Sequence, residues 1–370
     1  LRPIVVLGST GSIGRHTLEV VGDIGADVAA LAARRGSDEC HALALEHPWA
    51  QIAVAAATPT ERERFRALGA RVAFGVEAVT ALAAQSGVIV VNGIVGSAGL
   101  RASVAALAAG NRLALANKES MVAGAPLLEE ALRSGSGEII PVDSEHSALF
   151  QLLAGHDRSA VRRLVLSASG GPFRGMSAEQ VAAATPESAL RHPTWQMGPR
   201  ITVDSATLMN KALEVIEAHH LFGFSYDAIE VVVHPQSIVH AIVELVDGTL
   251  FAHMGEPDMR VPIRYAITHP LRSVRVAPPF SLAGLTLTFE SPNVDVFPAL
   301  RLGYEAGRAG GTAPAVFNAA DEIAVHAFLA GRIGFSSIPV VVERTLHDVA
   351  LRQVSTVDDV FAADEEARSV

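Results

Sequence analysis

The chain has 370 residues, 49% hydrophobic and only 18% charged, with a formal net charge of −10. That length suits two or three domains around a large buried core, and the apolar content without low-complexity tracts argues against disorder. The acidic balance argues against a general nucleic-acid binder, and the single cysteine, Cys40, excludes an internal disulfide framework and a cysteine zinc site, so a reducing compartment is expected. The longest uncharged run, Ala78 to Leu100, is broken by Gln85, Ser86, Gly87, Asn92, Gly93, Gly96 and Gly99. It therefore reads as helix, turn, strand and loop rather than a membrane span. The first residues carry no basic-then-apolar signal pattern, so a cytoplasmic location is expected. A removed organelle transit peptide stays open.

Strand and helix alternate over the first 140 residues. Ile4–Leu7 reads as a buried strand, followed by a Gly-rich turn and a helix from about Ile13 to Val21. Further strands are expected at Val28–Ala32, Ile52–Ala55, Val72–Phe74, Val88–Asn92 and Arg112–Ala116, with a helix at Ala98–Ala109. This repetition predicts an α/β, Rossmann-like parallel-sheet domain over residues 1–143. The pattern then changes. Val161–Ser167 reads as a strand, and Ile201–Val203 as a lead into a long helix at about Ala206–Leu221. Ile229–Val233, Ile238–Leu245 and Thr249–His253 suggest a mixed or antiparallel sheet with an Asp247-Gly248 hairpin turn, giving a central α+β catalytic domain over 144–270. A Pro-rich linker is expected over 271–294 and a C-terminal helical bundle over 295–370, including Ala313–Ala330 and Ser337–His347. The acidic end, Asp358, Asp359, Asp364, Glu365 and Glu366, reads as a solvated helical face.

Gly8-Ser9-Thr10-Gly11-Ser12-Ile13-Gly14 directly follows a strand and opens a helix. Its Gly-x-x-Gly-x-x-Gly spacing is a variant of the dinucleotide turn, in which glycines let backbone and helix amides approach a pyrophosphate. An ordinary Gly-rich turn is the alternative. The second strand ends Ala32-Ala33-Arg34-Arg35, with no carboxylate to hold a ribose 2′-hydroxyl. Two guanidiniums there suit a 2′-phosphate and favour NADP, against the plainer alternative of two solvated arginines.

In extended structure, Asp143-Ser144-Glu145 would turn both carboxylates to one side, at the end of the nucleotide domain. Close carboxylates repel unless a proton or cation lies between them, and oxygen ligands suit Mg²⁺ or Mn²⁺. Alone, the pattern is better read as exposed charges. Along Asp204–Glu214, Asp204 or Ser205 is the expected helix N-cap, and Asn210, Lys211 and Glu214 share a face. That face is either a polar site or a surface ion pair. Ser169-Gly170-Gly171 can wrap an anion, making a phosphate pocket with Ser205, Asn210 and Lys211. The loop His192–Gly198 carries Trp195 and reads as a lid, or as a loop pinned to the core by that ring. His234 and His240 read as core histidines, and His219-His220 as residues suited to a helix C-terminus.

Taken together, these blocks resemble one family, the 1-deoxy-D-xylulose 5-phosphate reductoisomerases. The matching runs are 7–14, Ala-Leu-Ala-Asn-Lys-Glu-Ser (114–120), Pro-Val-Asp-Ser-Glu-His-Ser-Ala (141–148), Ser-Gly-Gly-Pro-Phe (169–173), His-Pro-Thr-Trp-Gln-Met-Gly (192–198) and 203–214. His-Pro-Gln-Ser (234–237), Gly-Glu-Pro-Asp-Met-Arg (255–260) and Asn-Ala-Ala-Asp-Glu (318–322) complete the set, in order and over nearly the whole chain. The resemblance implies a V-shaped homodimer of NADPH, catalytic and C-terminal helical domains, acting on a sugar phosphate with no nucleic-acid or membrane partner. It implies conversion of the ketose phosphate to 2-C-methyl-D-erythritol 4-phosphate, the committed step of non-mevalonate isoprenoid synthesis. It places metal ligands on Asp143, Glu145 and Glu214, and substrate contacts on Lys118, Ser144, Ser169, His192, Ser205, Asn210 and Lys211. NADPH contacts fall on Thr10, Gly11, Ser12, Ile13, Asn117, Glu119 and Gly198, and the flap at about 190–200 carries Trp195 and Met197. Arg34 departs from the Gly of many members. The skeleton rearrangement calls for a Lewis acid on adjacent substrate oxygens, with Lys118 beside developing oxyanion charge. The family account favours retro-aldol cleavage over a direct α-ketol shift, and the residues leave both open. Two competing expectations are a metal-free NADP dehydrogenase and a nucleotide-binding redox sensor, both disfavoured by the three carboxylates.

Overall fold

The computed structural model describes residues 1–274 and 280–370. In chain order, the first region runs β1 (Ile4–Leu7), α1 (Ser12–Ile24), β2 (Val28–Ala33), α2 (Asp38–Glu46), β3 (Gln51–Val54), α3 (Pro59–Arg64), β4 (Val72–Phe74), α4 (Val76–Ala83), β5 (Ile89–Asn92), α5 (Leu100–Ala108), β6 (Arg112–Leu115), α6 (Lys118–Ser134) and β7 (Glu138–Pro141). The central region runs α7 (Ser144–Leu153), β8 (Val161–Ala168), α8 (Ala178–Ala182), α9 (Pro186–Ala189), α10 (Pro199–Ala206), α11 (Met209–Phe222), β9 (Ile229–Val233), β10 (Val239–Leu245), β11 (Leu250–Met254) and α12 (Arg260–Thr268). The chain ends with α13 (Ala299–Ala309), α14 (Ala313–Leu329), α15 (Ser337–Asp348) and α16 (Val357–Ser369). Packing divides it into two compact units.

The first unit comprises Leu1–Ser120, Pro126–Asp143 and a segment from Asp258 that carries α12. Its seven-stranded sheet has the order β4-β3-β2-β1-β5-β6-β7, parallel throughout. Strands buried on both faces explain their unbroken apolar runs: Ile4, Val5, Val6 and Leu7 are all fully buried. The order reverses at β1, so the turn after β1 sits where ligands of such sheets bind. α12 packs on α1, with Arg264 on Asp23. Arg112 donates to the carbonyls of Ile267 and His269, capping the end of α12. Residues 258–270 therefore join this unit, although the sequence pattern placed them in the catalytic domain.

The second unit comprises Met121–Ala125, Ser144–Pro257 and the C-terminal region with α13–α16. Its four-stranded sheet has the order β11-β10-β8-β9, with β8 and β9 parallel and the other pairs antiparallel. The Asp247-Gly248 turn joins β10 to β11, with Gly248 at φ 87° and the Thr249 amide donating to Asp247 Oδ1. α11 forms the axis of the core. Ala212, Leu213, Val215 and Ile216 are buried there, and Gly303 of α13 lies so close that a Cβ would stand 2.5 Å from Ala212 Cβ. The C-terminal helices share this core instead of standing apart as a bundle. Of the expected linker, residues 275–279 lie outside the described residues, and Glu290 forms a bridge with Val233 of β9. The acidic end is helical as expected, but Asp364 is buried and pairs with Arg368.

Candidate active site

The nucleotide turn is built from missing side chains. Gly8 has φ +80°, and a Cβ there would lie 2.6 Å from the Gly93 carbonyl oxygen. A Cβ on Gly14 would lie 2.4 Å from the Gly8 oxygen. Only glycine lets the turn meet the loop after β5 and α1 meet the turn. No side chain caps the N-terminus of α1 at Gly11, which leaves its first amides for an anion. Ile13 packs against Gly93, while Thr10 is half-buried and Ser12 exposed. Arg34 and Arg35 follow β2 and are exposed; Arg35 pairs with Glu61 at 3.1 Å, and Arg34 has no ion pair among the described residues. Asn117 is buried, caps α6 through the Ser120 amide, and donates to the carbonyls of Ile94 and Gly96. Glu119 accepts from the Gly96 amide. These two side chains thus shape the loop beside the turn.

Lys118 starts α6 after β6, and Asp143 follows β7, the neighbouring strand. Their side chains are 9% and 12% exposed, and Lys118 Nζ donates to Asp143 Oδ2 at 2.8 Å.

In the second unit, the local geometry differs from the expectation in two ways. Ser144 already begins α7, so Glu145 sits in the first helical turn and not in extended chain. The helix expected at about 206–221 is α11, which starts three residues later, and a separate helix, α10, precedes it and ends at Ala206; Leu208 between them has φ +63°. Ile201–Val203, expected as a lead into that helix, is itself helical within α10, and Asp204 and Ser205 occupy the last turn of α10 instead of capping α11. A left-handed leucine costs about 1–2 kcal/mol and is held here by burial of its side chain. Thr207 also fixes the break, donating to the Val203 carbonyl and accepting from the Met209 amide.

This break sets the register of α11. Asn210 donates to Glu214 Oε1 at 2.6 Å, and Lys211 donates to Glu214 Oε2. Lys211 Nζ also lies 3.7 Å from Glu145 Oε1, and Ser144 Oγ donates to Glu145 Oε2 at 2.9 Å. Lys211 is 4% and Glu214 1% exposed, which overturns the surface ion-pair alternative. The carboxylates of Glu145 and Glu214 offer oxygens within 4.8 Å of one another. Such proximity requires positive charge between them, supplied here by Lys211.

A second polar group gathers at the C-terminal end of α10. His192 Nε2 lies 2.9 Å from Ser169 Oγ and 3.1 Å from Ser205 Oγ, and the two hydroxyls are 3.4 Å apart. His192 Nδ1 accepts from the amides of Thr194 and Trp195, so the neutral ring carries its proton on Nε2. Burial lowers the His192 pKa, favouring this neutral form. Gly170 and Gly171 both have positive φ, and a Cβ on Gly171 would lie 2.8 Å from Ala206 Cα. The loop therefore lies flat on the end of α10. Trp195 is half-buried with its ring 6.5 Å from that of His240, Met197 is half-buried, and Gly198 precedes α10.

Family models described as 1-deoxy-D-xylulose 5-phosphate reductoisomerase match residues 4–125, and two models of its C-terminal domains match 139–222 and 254–370. The chain belongs to this family. A reductoisomerase of Desulforamulus reducens is 46% identical, covering 100% of this chain and 97% of that protein. One from Xanthomonas campestris is 48% identical over 100% and 95%. The Zymomonas mobilis enzyme in complex with NADPH superposes with a TM-score of 0.91 at 41% identity, covering 100% of this chain and 97% of that one. A reductoisomerase in complex with NADPH, fosmidomycin and magnesium gives 0.92 at 36%, with the same coverage. The family resemblance and the α/β fold class are thereby borne out.

The discounted histidines are structural. His234 is fully buried, faces the Thr288 carbonyl at 2.9 Å and accepts from the Ile238 amide; His240 is buried too. His219, near the end of α11, stacks on Tyr226. Other buried polar residues carry no role that the sequence pattern assigns. His146 and Glu217 are completely buried, 3.7 Å apart, and His146 Nε2 lies 2.9 Å from the Glu214 carbonyl. Arg200, Asn318 and Asp321 form another such group. Glu217 sits one turn after Glu214 in an apolar helix, and Asn318, Asp321 and Glu322 share the i, i+3, i+4 spacing in another. Polar residues on a helix that is otherwise buried all round were the available signal.

Proposed function

We propose that this chain converts 1-deoxy-D-xylulose 5-phosphate to 2-C-methyl-D-erythritol 4-phosphate with NADPH and a divalent metal, the committed step of non-mevalonate isoprenoid synthesis. The Glu145–Lys211–Glu214–Asn210 cluster carries this reading, because α11, which bears three of its members, packs on α10, whose last turn brings Ser205 to Ser169 and His192. An oxygen-only donor set of Asp143, Glu145 and Glu214 suits Mg²⁺ or Mn²⁺. The side-chain-free turn at Gly8 and Gly14 and the uncapped start of α1 fit a pyrophosphate, and the unpaired Arg34 fits a 2′-phosphate. When bound, the metal supplies Lewis-acid stabilisation of charge on adjacent substrate oxygens, and NADPH supplies the hydride that reduces the rearranged aldehyde.

The chain's own residues bind and orient. Ser169, Ser205, His192, Asn210 and Lys211 take the phosphate, whose remote binding energy positions the reacting carbons. Lys118, held on Asp143, presents its ammonium to developing oxyanion charge. Trp195 and Met197 cover the substrate and exclude water. A homodimer is supported by β11, an edge strand with exposed Leu250, Phe251 and Met254, which a second copy would cover. A cytoplasmic setting fits the lone, buried Cys40. Among the described residues no helix is long and apolar enough to cross a membrane. The deciding experiment follows NADPH oxidation with deoxyxylulose phosphate, with and without Mg²⁺. Metal-dependent oxidation is expected; oxidation that survives EDTA, or none at all, would defeat the proposal.

A further inference from the structure

α10 is only eight residues long, yet both ends meet the proposed substrate site. Its start follows the flap, and its last turn carries Ser205. A helix this short is not stable by itself, so tertiary contacts must hold it. The main polar one is Arg200. Its Nη2 donates to Asn318 Oδ1 at 2.8 Å and to Asp321 Oδ2 at 3.4 Å; Nη1 is 3.5 Å from Glu322 Oε2, and Nε is 3.7 Å from Asp204 Oδ2. The Arg200 side chain is 12% exposed and that of Asp321 0%. Glu322 is held in turn by Arg368 of α16 at 2.8 Å. A planar fork gripping several acceptors fixes orientation as well as distance, which a single ammonium does not. Arg200 and Asp204 belong to α10 itself, so this group bears on Ser205 through the backbone of that helix.

We propose that Arg200, clamped by Asn318 and Asp321 of α14, is a positioning residue that presets Ser205 and the flap for the sugar phosphate. This rests on the phosphate pocket proposed above and deepens it. Removing the guanidinium leaves the pocket's own donors intact but lets α10 shift. The effect falls mainly on sugar-phosphate affinity, while NADPH, held chiefly by the turn after β1 and only at Gly198 beside α10, loses far less.

Trp195 provides a direct readout, because the one other tryptophan, Trp49, is exposed and dispensable as Trp49→Phe. In that background, inorganic phosphate and deoxyxylulose phosphate are titrated against Trp195 fluorescence, and KM and kcat are measured with Mg²⁺. Arg200→Met is expected to raise the half-saturating phosphate and the sugar-phosphate KM about tenfold, with kcat changed less than about threefold and the NADPH dissociation constant less than about twofold. Arg200→Lys should recover part of the loss. If Arg200→Met does not fold, Asp321→Asn is expected to shift the same titrations about threefold. Unchanged phosphate titrations in a folded variant would overturn the proposal, as would parallel losses of phosphate and NADPH affinity. Should the wild type bind phosphate but fail to turn over deoxyxylulose phosphate, the function fails while a shifted titration still supports the positioning role.

Discussion

The glycine turn after β1 and the α10–α11 region, the two proposed anion sites, are built by opposite means. The turn uses contiguous backbone and depends on side chains being absent, since at Gly8 and Gly14 a single Cβ would collide with backbone. The α10–α11 region uses buried side chains, a left-handed Leu208, and partners on α7 and α14 far away in sequence. One construction is intolerant of volume, the other of a change in charge. Sites of the first kind are legible as a motif, whereas sites of the second kind exist only after folding.

Perturbing each construction in its own way should separate them. Glu214→Gln keeps the shape and removes the charge. Turnover should fall at least about a thousandfold, matching the several kcal/mol a Lewis-acid site supplies, while NADPH binding followed by nucleotide fluorescence stays intact. Ordinary turnover in that variant would remove Glu214 from the site. Gly14→Ala adds only volume; at about 1–3 kcal/mol of overpacking, NADPH affinity should drop up to about a hundredfold, with phosphate titration of Trp195 unaffected. If both ligands weaken together, the two constructions are not independent. Arg34→Ala tests the corner after β2. NADPH affinity should fall about tenfold and NADH affinity not at all, so an equal loss of both would assign Arg34 no part in phosphate selection.

The smallest effect concerns the α10 clamp. Burial pushes the Asp321 carboxyl up from its ordinary 3.8 to about 6, against the pull of Arg200, with Asp204 and Glu322 also facing it. A raised carboxyl favours the protonated folded form. Its stabilising contribution is complete below the unfolded value and disappears as pH rises through about 6. Asp321→Asn is always neutral and lacks this dependence. Between pH 4 and pH 7 the wild type should lose melting temperature relative to that variant, as read by calorimetry. Parallel profiles would show that Asp321 does not titrate there.

Much of the first unit is legible in the amino-acid order. Apolar runs such as Ile4–Leu7 mark buried strands, the interval between them calls for crossover helices, and the glycine spacing marks the turn, because each signal is local. That order also nominated Asp143, Glu145, Asn210, Lys211 and Glu214 by residue type, but for partly wrong local reasons. Asp143-Ser144-Glu145 was expected extended, and Glu145 instead lies in the first turn of α7. The helix expected at about 206–221 is present as α11, but α10 before it and the break at Leu208 were not expected. No residue there is a strong breaker; the left-handed turn is imposed by Thr207's hydrogen bonds and by burial of Leu208 in the core. Whether Lys211 and Glu214 were a solvated pair or a buried one depended on what covered α11. The clamp on Arg200 likewise required residues 118 and 121 positions away to arrive on one face. Periodicity reports which side of an element is apolar, and only tertiary structure decides which charges are removed from water together.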